Sequence, residues 1–388
     1  MTTKLKRITI GGYKSFAMNH PQGVELGDIN ILIGANGAGK SNFVSFFKML
    51  NSMMSGALQE YTARQGGANA LLHYGAKTTS DLEVSLGFRD ENAEDKTYSF
   101  RLSYAHQDTL IFTKENAIPL VWHDLPDIAG TTPSGEWHDL VDIADVSHKE
   151  SILLNSSVKQ SESNWLIRMT RQEYRVYRFV DTTAESHIRN TTTIDANHYL
   201  YSDGGNLAAY LLGMKSTEKY LPYYKRIVQW INNIFPQFGD FVLEPSQFYP
   251  NTTMLYWREK GNEYIFGPHQ ISDGTLRFMA LATLLLQPPE LLPGIVIIDE
   301  PELGLHPEAI GALAGMVRTA SQNCQVILAT QSPRLLDEFS TDDIIVAERD
   351  RRNQYSTLKR LSSEELEDWL EDYCLSELWE KNIFGGQP

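Results

Sequence analysis

Apolar positions recur along this chain in two rhythms. Short unbroken runs occur at Ile29-Asn30-Ile31-Leu32-Ile33, at residues 294–298 and at residues 325–329. Each is bounded by turn or polar residues and reads as a buried strand. Alternating stretches at residues 82–88, 98–104 and 109–113 predict antiparallel strands joined by polar turns. A further alternating stretch, residues 174–180, predicts a strand with Arg175 and Arg178 on opposite faces. Between residues 206 and 235, Leu207, Tyr210, Leu211, Leu221, Ile227, Trp230 and Ile231 keep helical spacing and predict a helical subdomain with its aromatics in the core. A short hairpin of residues 241–243 with 253–258 follows, and residues 278–286 predict a core helix. No apolar run approaches the ~18–20 residues of a membrane span, and no long heptad run is present.

Chemistry sits at the ends of the buried runs. The first is followed by Gly34-Ala35-Asn36-Gly37-Ala38-Gly39-Lys40-Ser41, the spacing of a phosphate-binding loop. Gly37 and Gly39 let the backbone turn its N–H groups toward phosphate oxygens. Lys40 reaches the β- and γ-phosphates, Ser41 offers its hydroxyl to Mg²⁺, and the helix opening there points its N-terminus at the same anion. The second run ends in Asp299-Glu300-Pro301. Asp299 is placed to hold Mg²⁺ through water, and Glu300 to polarise the attacking water. Residues 302–307 read as a turn feeding a helix over 308–319, with His306 a polar turn residue. The third run ends in Thr330-Gln331-Ser332-Pro333, where polar side chains either sense the γ-phosphate or cap a helix through Ser332. Ile271-Ser272-Asp273-Gly274-Thr275 fits this site only if it reaches a nucleotide held by another copy of the chain.

Together these residues resemble the ABC-type ATPase superfamily, nearest its SMC, RecF and OLD-like branch and the small bacterial AAA-family ATPases grouped with it. The opening Ile8-Thr9-Ile10-Gly11-Gly12-Tyr13-Lys14-Ser15-Phe16 is similar to their strand and K-S-F start. The loop matches their G-x-N-G-x-G-K-S-N, which adds Asn36, Ala38 and Asn42 to the nucleotide contacts. Ser272-Asp273-Gly274 looks like the signature, residues 303–306 fall at the D-loop, and Gln331 falls at the switch position. Three departures stand out: Asp273 replaces a glycine, Gln331 replaces a histidine, and the Q-loop glutamine has only Gln65 and Gln107 as candidates. SMC-like ATPases carry an arginine where Arg64 lies, so Arg64 either stabilises γ-phosphate charge or is a solvated loop residue.

The resemblance implies an α/β fold: a P-loop NTPase head of ABC type with a central, mainly parallel sheet, an antiparallel β meander and an inserted helical subdomain. It divides the chain into a first ATPase lobe (1–120), an insertion with the helical subdomain (121–263), a second lobe (264–350) and an acidic tail (351–388) whose stretch 364–380 is expected to be helical. It implies ATP and Mg²⁺ as cofactors and an ATP-dependent homodimer or higher oligomer, with Ser272 and Gly274 of one copy on the γ-phosphate of the other. No effector domain is expected in the chain, so the output falls to a separate partner protein, in phage defence or DNA maintenance. The alternatives are the ATPase subunit of a transporter and an ATP-bound switch with little turnover.

Composition narrows this further. The chain has 388 residues and a formal net charge of −15, which argues against a broad basic groove and against strong nonspecific DNA binding by one copy, and leaves DNA or RNA to a local patch in a closed dimer. The only two cysteines, Cys324 and Cys374, form no paired spacing, and no signal peptide is expected before the first strand. Both suit a reducing cytoplasm.

Overall fold

A computed structural model of this chain describes residues 4–89, 95–119, 148–151, 174–246, 248–350 and 352–387. The chain forms two compact units. The first comprises Met1–Tyr174, Thr341–Tyr373 and Leu378–Pro388; the second comprises Arg175–Ser340 and Cys374–Glu377. The insertion read over residues 121–165 lies outside the described residues, apart from 148–151.

In the first unit, β1 (Lys4–Gly11) and β2 (Gln22–Glu25) precede β3 (Ile29–Ile33). The alternating stretches become β4 (Asp81–Arg89), β5 (Asp95–Ala105) and β6 (Thr109–Pro119). These build an antiparallel sheet in the order β2-β1-β4-β5-β6. Leu82, Val84 and Leu86 of β4 face inward at every second position. All three strands outrun their apolar pattern, because ladder bonds continue wherever polar residues find cross-strand partners. Inside the predicted stretches, Arg101 stands opposite Glu83 and pairs with it.

The helix α1 (Lys40–Met54) buries Phe43, Phe46, Phe47, Leu50 and Met53 completely. Its Phe46 ring meets Tyr13 edge-on at 6.0 Å. Strand β3 runs parallel to Ile344–Arg349, which turns back antiparallel into Ser356–Arg360. The predicted acidic helix is broken into a 3₁₀ turn (Glu364–Leu366) and two short helices, Glu367–Leu370 and Leu375–Glu380. One continuous helix would set Glu364 against Asp368 and Glu367 against Glu371, like charges four apart. Leu378 and Trp379 are buried, whereas Trp369 is exposed.

In the second unit, Ile295–Asp299 and Gln325–Thr330 pair in parallel, from Ile295 opposite Gln325 to Asp299 opposite Ala329. Tyr174–Tyr177 lies on the other side of the first of these. The helical stretch resolves into Leu207–Ser216 and Leu221–Ile234. The break falls where Thr217 turns its hydroxyl onto the Gly213 carbonyl at 2.8 Å, and Pro222 opens the next helix. Tyr210, Ile227 and Ile231 are buried as expected, and the Trp230 ring packs on Gly315. The hairpin is larger than its pattern, with Phe238–Val242, Tyr256–Glu259 and Ile265–Phe266 forming one antiparallel sheet. Among the described residues no helix is long and apolar enough to cross a membrane.

Candidate nucleotide site

The phosphate-loop residues lie in the first unit, between the C-terminal end of β3 and the start of α1. Gly39 has a left-handed backbone (φ +115°), and a Cβ there would collide with the Ser356 hydroxyl, so only glycine fits. Gly37 is also left-handed (φ +80°), but it is exposed and faces open space, leaving the loop crest bare. Lys40 is 6% exposed, and its ammonium donates to the carbonyls of Gly34 at 2.5 Å and Ala35 at 3.1 Å. Ser41 is exposed on the first turn of α1, and Asn42 donates to the Ser15 hydroxyl at 2.8 Å. Lys14 and Tyr13 both hydrogen-bond to Ser45 one turn further on. The K-S-F start is thus a clamp on the first two turns of α1.

Beside the loop, residues 35–38 border a cleft of about 350 Å³ completed by Glu348, Arg349, Gln354, Gly386 and Gln387. The Ala35 N–H donates to the Gly386 carbonyl at 2.6 Å. Arg64 ends the helix Leu58–Arg64, is 75% exposed along its side chain, and pairs with Glu60 at 2.5 Å. Gln65 and Gln107 are exposed turn residues.

The acidic pair and the signature lie in the second unit. Asp299 closes its strand with a carboxylate that is largely buried and 3.6 Å from the Arg178 guanidinium. Glu300 is a left-handed non-glycine residue (φ +52°) whose N–H donates to the Ala329 carbonyl at 2.8 Å. Its Oε1 accepts from the Gln331 amide at 2.8 Å. The two strand ends, 31 positions apart in sequence, are therefore joined side chain to side chain. Ser332 caps the helix Pro333–Leu336 through the Leu335 N–H, so the capping role falls to Ser332 while Gln331 turns to Glu300. His306 caps the helix Pro307–Ala320.

Ser272 is the N-cap of the helix Asp273–Leu286, accepting from the Thr275 N–H at 3.2 Å. Asp273, in place of the usual glycine, accepts from Arg189 at 2.6 Å. Arg189 is buried and also donates to the carbonyls of Thr182, Pro268 and Ile271. Gly274 lies so close to the Gly304 carbonyl that a Cβ would collide with it. Arg277 donates to the carbonyls of Leu303, Phe179 and Val180 at 2.6, 2.9 and 2.7 Å. The signature helix is thus held against the loop that follows the acidic pair.

The sequence of residues 29–337 matches the family described as "AAA domain, putative AbiEii toxin, Type IV TA system". The chain belongs to this AAA-domain family. No curated protein matches it. Two solved structures show the fold of the AAA-domain chain to be that of an SMC head. The SMC head solved with the C-winged helix domain of ScpA is 16% identical, covering 93% of this chain and 99% of its own, with TM-score 0.57. The Smc head with an extended coiled coil, solved with the C-terminal domain of ScpA derived from Pyrococcus furiosus, is also 16% identical, covering 95% and 99%, with TM-score 0.57. The ABC-type, SMC-like resemblance and the P-loop fold class are therefore correct.

P-loop ATPases of this kind use ATP and Mg²⁺, and the residues present fit both. A bare glycine crest and a lysine turned onto its own loop suit a polyphosphate. An exposed Ser41 hydroxyl and the Asp299 carboxylate are hard oxygen donors, the kind Mg²⁺ takes beside phosphate oxygens and water. Reading the sequence missed Arg189 and Arg277. An acid in the place of the signature glycine signals a basic partner, but Arg189 lies 84 positions away and has no motif of its own.

Proposed function

We propose that this chain hydrolyses ATP and that nucleotide-dependent pairing of two copies is its output step. Asn36, Gly37, Ala38, Gly39, Lys40, Ser41 and Asn42 cradle the phosphates, Ser41 and Asp299 serve Mg²⁺, and Glu300 orients the attacking water. Ser272 and Gly274 of a second copy meet the γ-phosphate at a helix N-terminus. Arg64, exposed on its helix, is available to an anion by exchanging Glu60.

The observation that carries the reading is the Gln331–Glu300 contact. It holds the acid's side chain at a strand end in a backbone conformation that glutamate seldom adopts, the kind of strain found at reacting sites. The second reading is a switch with slow turnover, in which the same contact occupies Oε1 and only Oε2 is left to engage water. Turnover of the full chain with Mg²⁺-ATP, alone and with DNA, separates the two. Steady phosphate release that Glu300→Gln removes supports hydrolysis, and binding without release supports the switch.

We place the downstream effect in a partner protein. The family's description names a toxin of a type IV toxin–antitoxin system, and the SMC heads above were solved with ScpA domains. A role in phage defence or DNA maintenance is consistent with both. The acidic charge gives no support to a nucleic-acid groove on one copy.

A further inference from the structure

One half-buried acid in the second unit has no part in the proposed reaction. Glu302 follows Glu300 by two positions. Its Oε1 accepts from the Thr330 hydroxyl at 2.6 Å and from the Gln331 N–H at 3.3 Å. Its Oε2 is buried with no hydrogen-bond partner among the described residues. Burial, aided by the nearby Glu300 charge, pushes this carboxyl above the ordinary range. Closing a turn does not require an acid with a buried oxygen, and taking that oxygen out of water is costly, so the contacts it makes should account for it.

Those contacts converge on one peptide. Thr330 is fully buried, and its hydroxyl, while donating to Glu302, accepts from the Ser332 N–H at 2.9 Å. The peptide carrying Gln331 is therefore held on both sides, and the Gln331 side chain leaves it to reach Glu300 at 2.8 Å. We propose that Glu302 is a positioning residue: it fixes the Thr330–Gln331 peptide so that the Gln331 amide sets the orientation of Glu300. This rests on the reading of Glu300 as the residue that orients the attacking water. Oε1 can accept in either protonation state, so the role belongs to an acceptor at this point and not to a charge.

The test compares Glu302→Ala, Glu302→Gln, Gln331→Ala and the Glu302→Ala/Gln331→Ala pair in the full chain. Glu302→Ala is expected to lower kcat about tenfold while KM for ATP stays within about twofold, the pattern of a contact felt at the reacting step. Glu302→Gln keeps a carbonyl acceptor and should stay within about twofold of the original kcat. The double variant should be no slower than Gln331→Ala alone, because the two residues act in series. Losses that multiply, or a Glu302→Ala enzyme with unchanged kcat, would overturn the proposal. Thr330→Val, which removes the donor on Glu302, replaces Glu302→Ala if that variant does not fold. Crystal structures of the original and variant proteins give a readout independent of turnover. The Gln331–Glu300 contact should be present in the original and lost in Glu302→Ala; a Glu302→Ala protein that keeps it refutes the positioning role. A protein that never hydrolyses ATP would sink the ATPase reading, while the pair of structures would still decide this one.

Discussion

At the scale of the residue, the site is a set of polar groups each held in place by specific partners. Lys40 is the clearest case. Its ammonium is satisfied by two loop carbonyls, so it is pre-placed at the loop and needs only a small movement to meet an anion. Lys40→Ala is expected to weaken ATP binding by about a hundredfold, the scale of losing one aimed charge-assisted donor, in a calorimetric titration. Unchanged affinity would remove Lys40 from the site.

Asp273 makes a second prediction at this scale. Asp273→Gly restores the usual signature glycine but leaves the buried Arg189 without its charged partner. Stability should fall by about 1–2 kcal/mol in urea unfolding; no change would show that the pair is only incidental. The identities of the phosphate-loop and acidic residues were legible in the sequence because their spacing is imposed by the shape of a phosphate and by the end of a strand. Arg189 and Arg277 were not, because they act on backbone carbonyls. Those groups carry no residue identity to match against.

At the scale of the element, the buried strands were legible from their apolar runs, and their ends were less so. β4 to β6 extend beyond their alternation because backbone pairing tolerates polar side chains. The stretch over 206–235 hid its break because Thr217 and Pro222 interrupt hydrogen bonding without interrupting the apolar spacing. The acidic tail kept its apolar anchors, Leu378 and Trp379, yet failed as one helix through repulsion along its faces. The packing of the signature helix on the following loop yields a third prediction. Gly274→Val forces a side chain into the Gly304 carbonyl, so the helix start must move. We expect a loss of about 2–3 kcal/mol in stability. ATP-dependent pairing should be lost in variants that still bind nucleotide. A Gly274→Val protein that pairs normally would separate the signature from the interface.

At the scale of the whole molecule, an acidic chain with the fold of an SMC head belongs to an AAA-domain family, and the output proposed for it is closure on a second copy. The central claim is that the γ-phosphate joins two copies. Glu300→Gln should slow hydrolysis by about a hundredfold or more while leaving the side chain's shape and its contact with Gln331 intact. The most direct measurement is light scattering of this variant in buffer, with Mg²⁺-ADP and with Mg²⁺-ATP. The account predicts a mass that doubles with ATP alone. An unchanged mass in all three conditions, with ATP binding confirmed in the same sample, would contradict it.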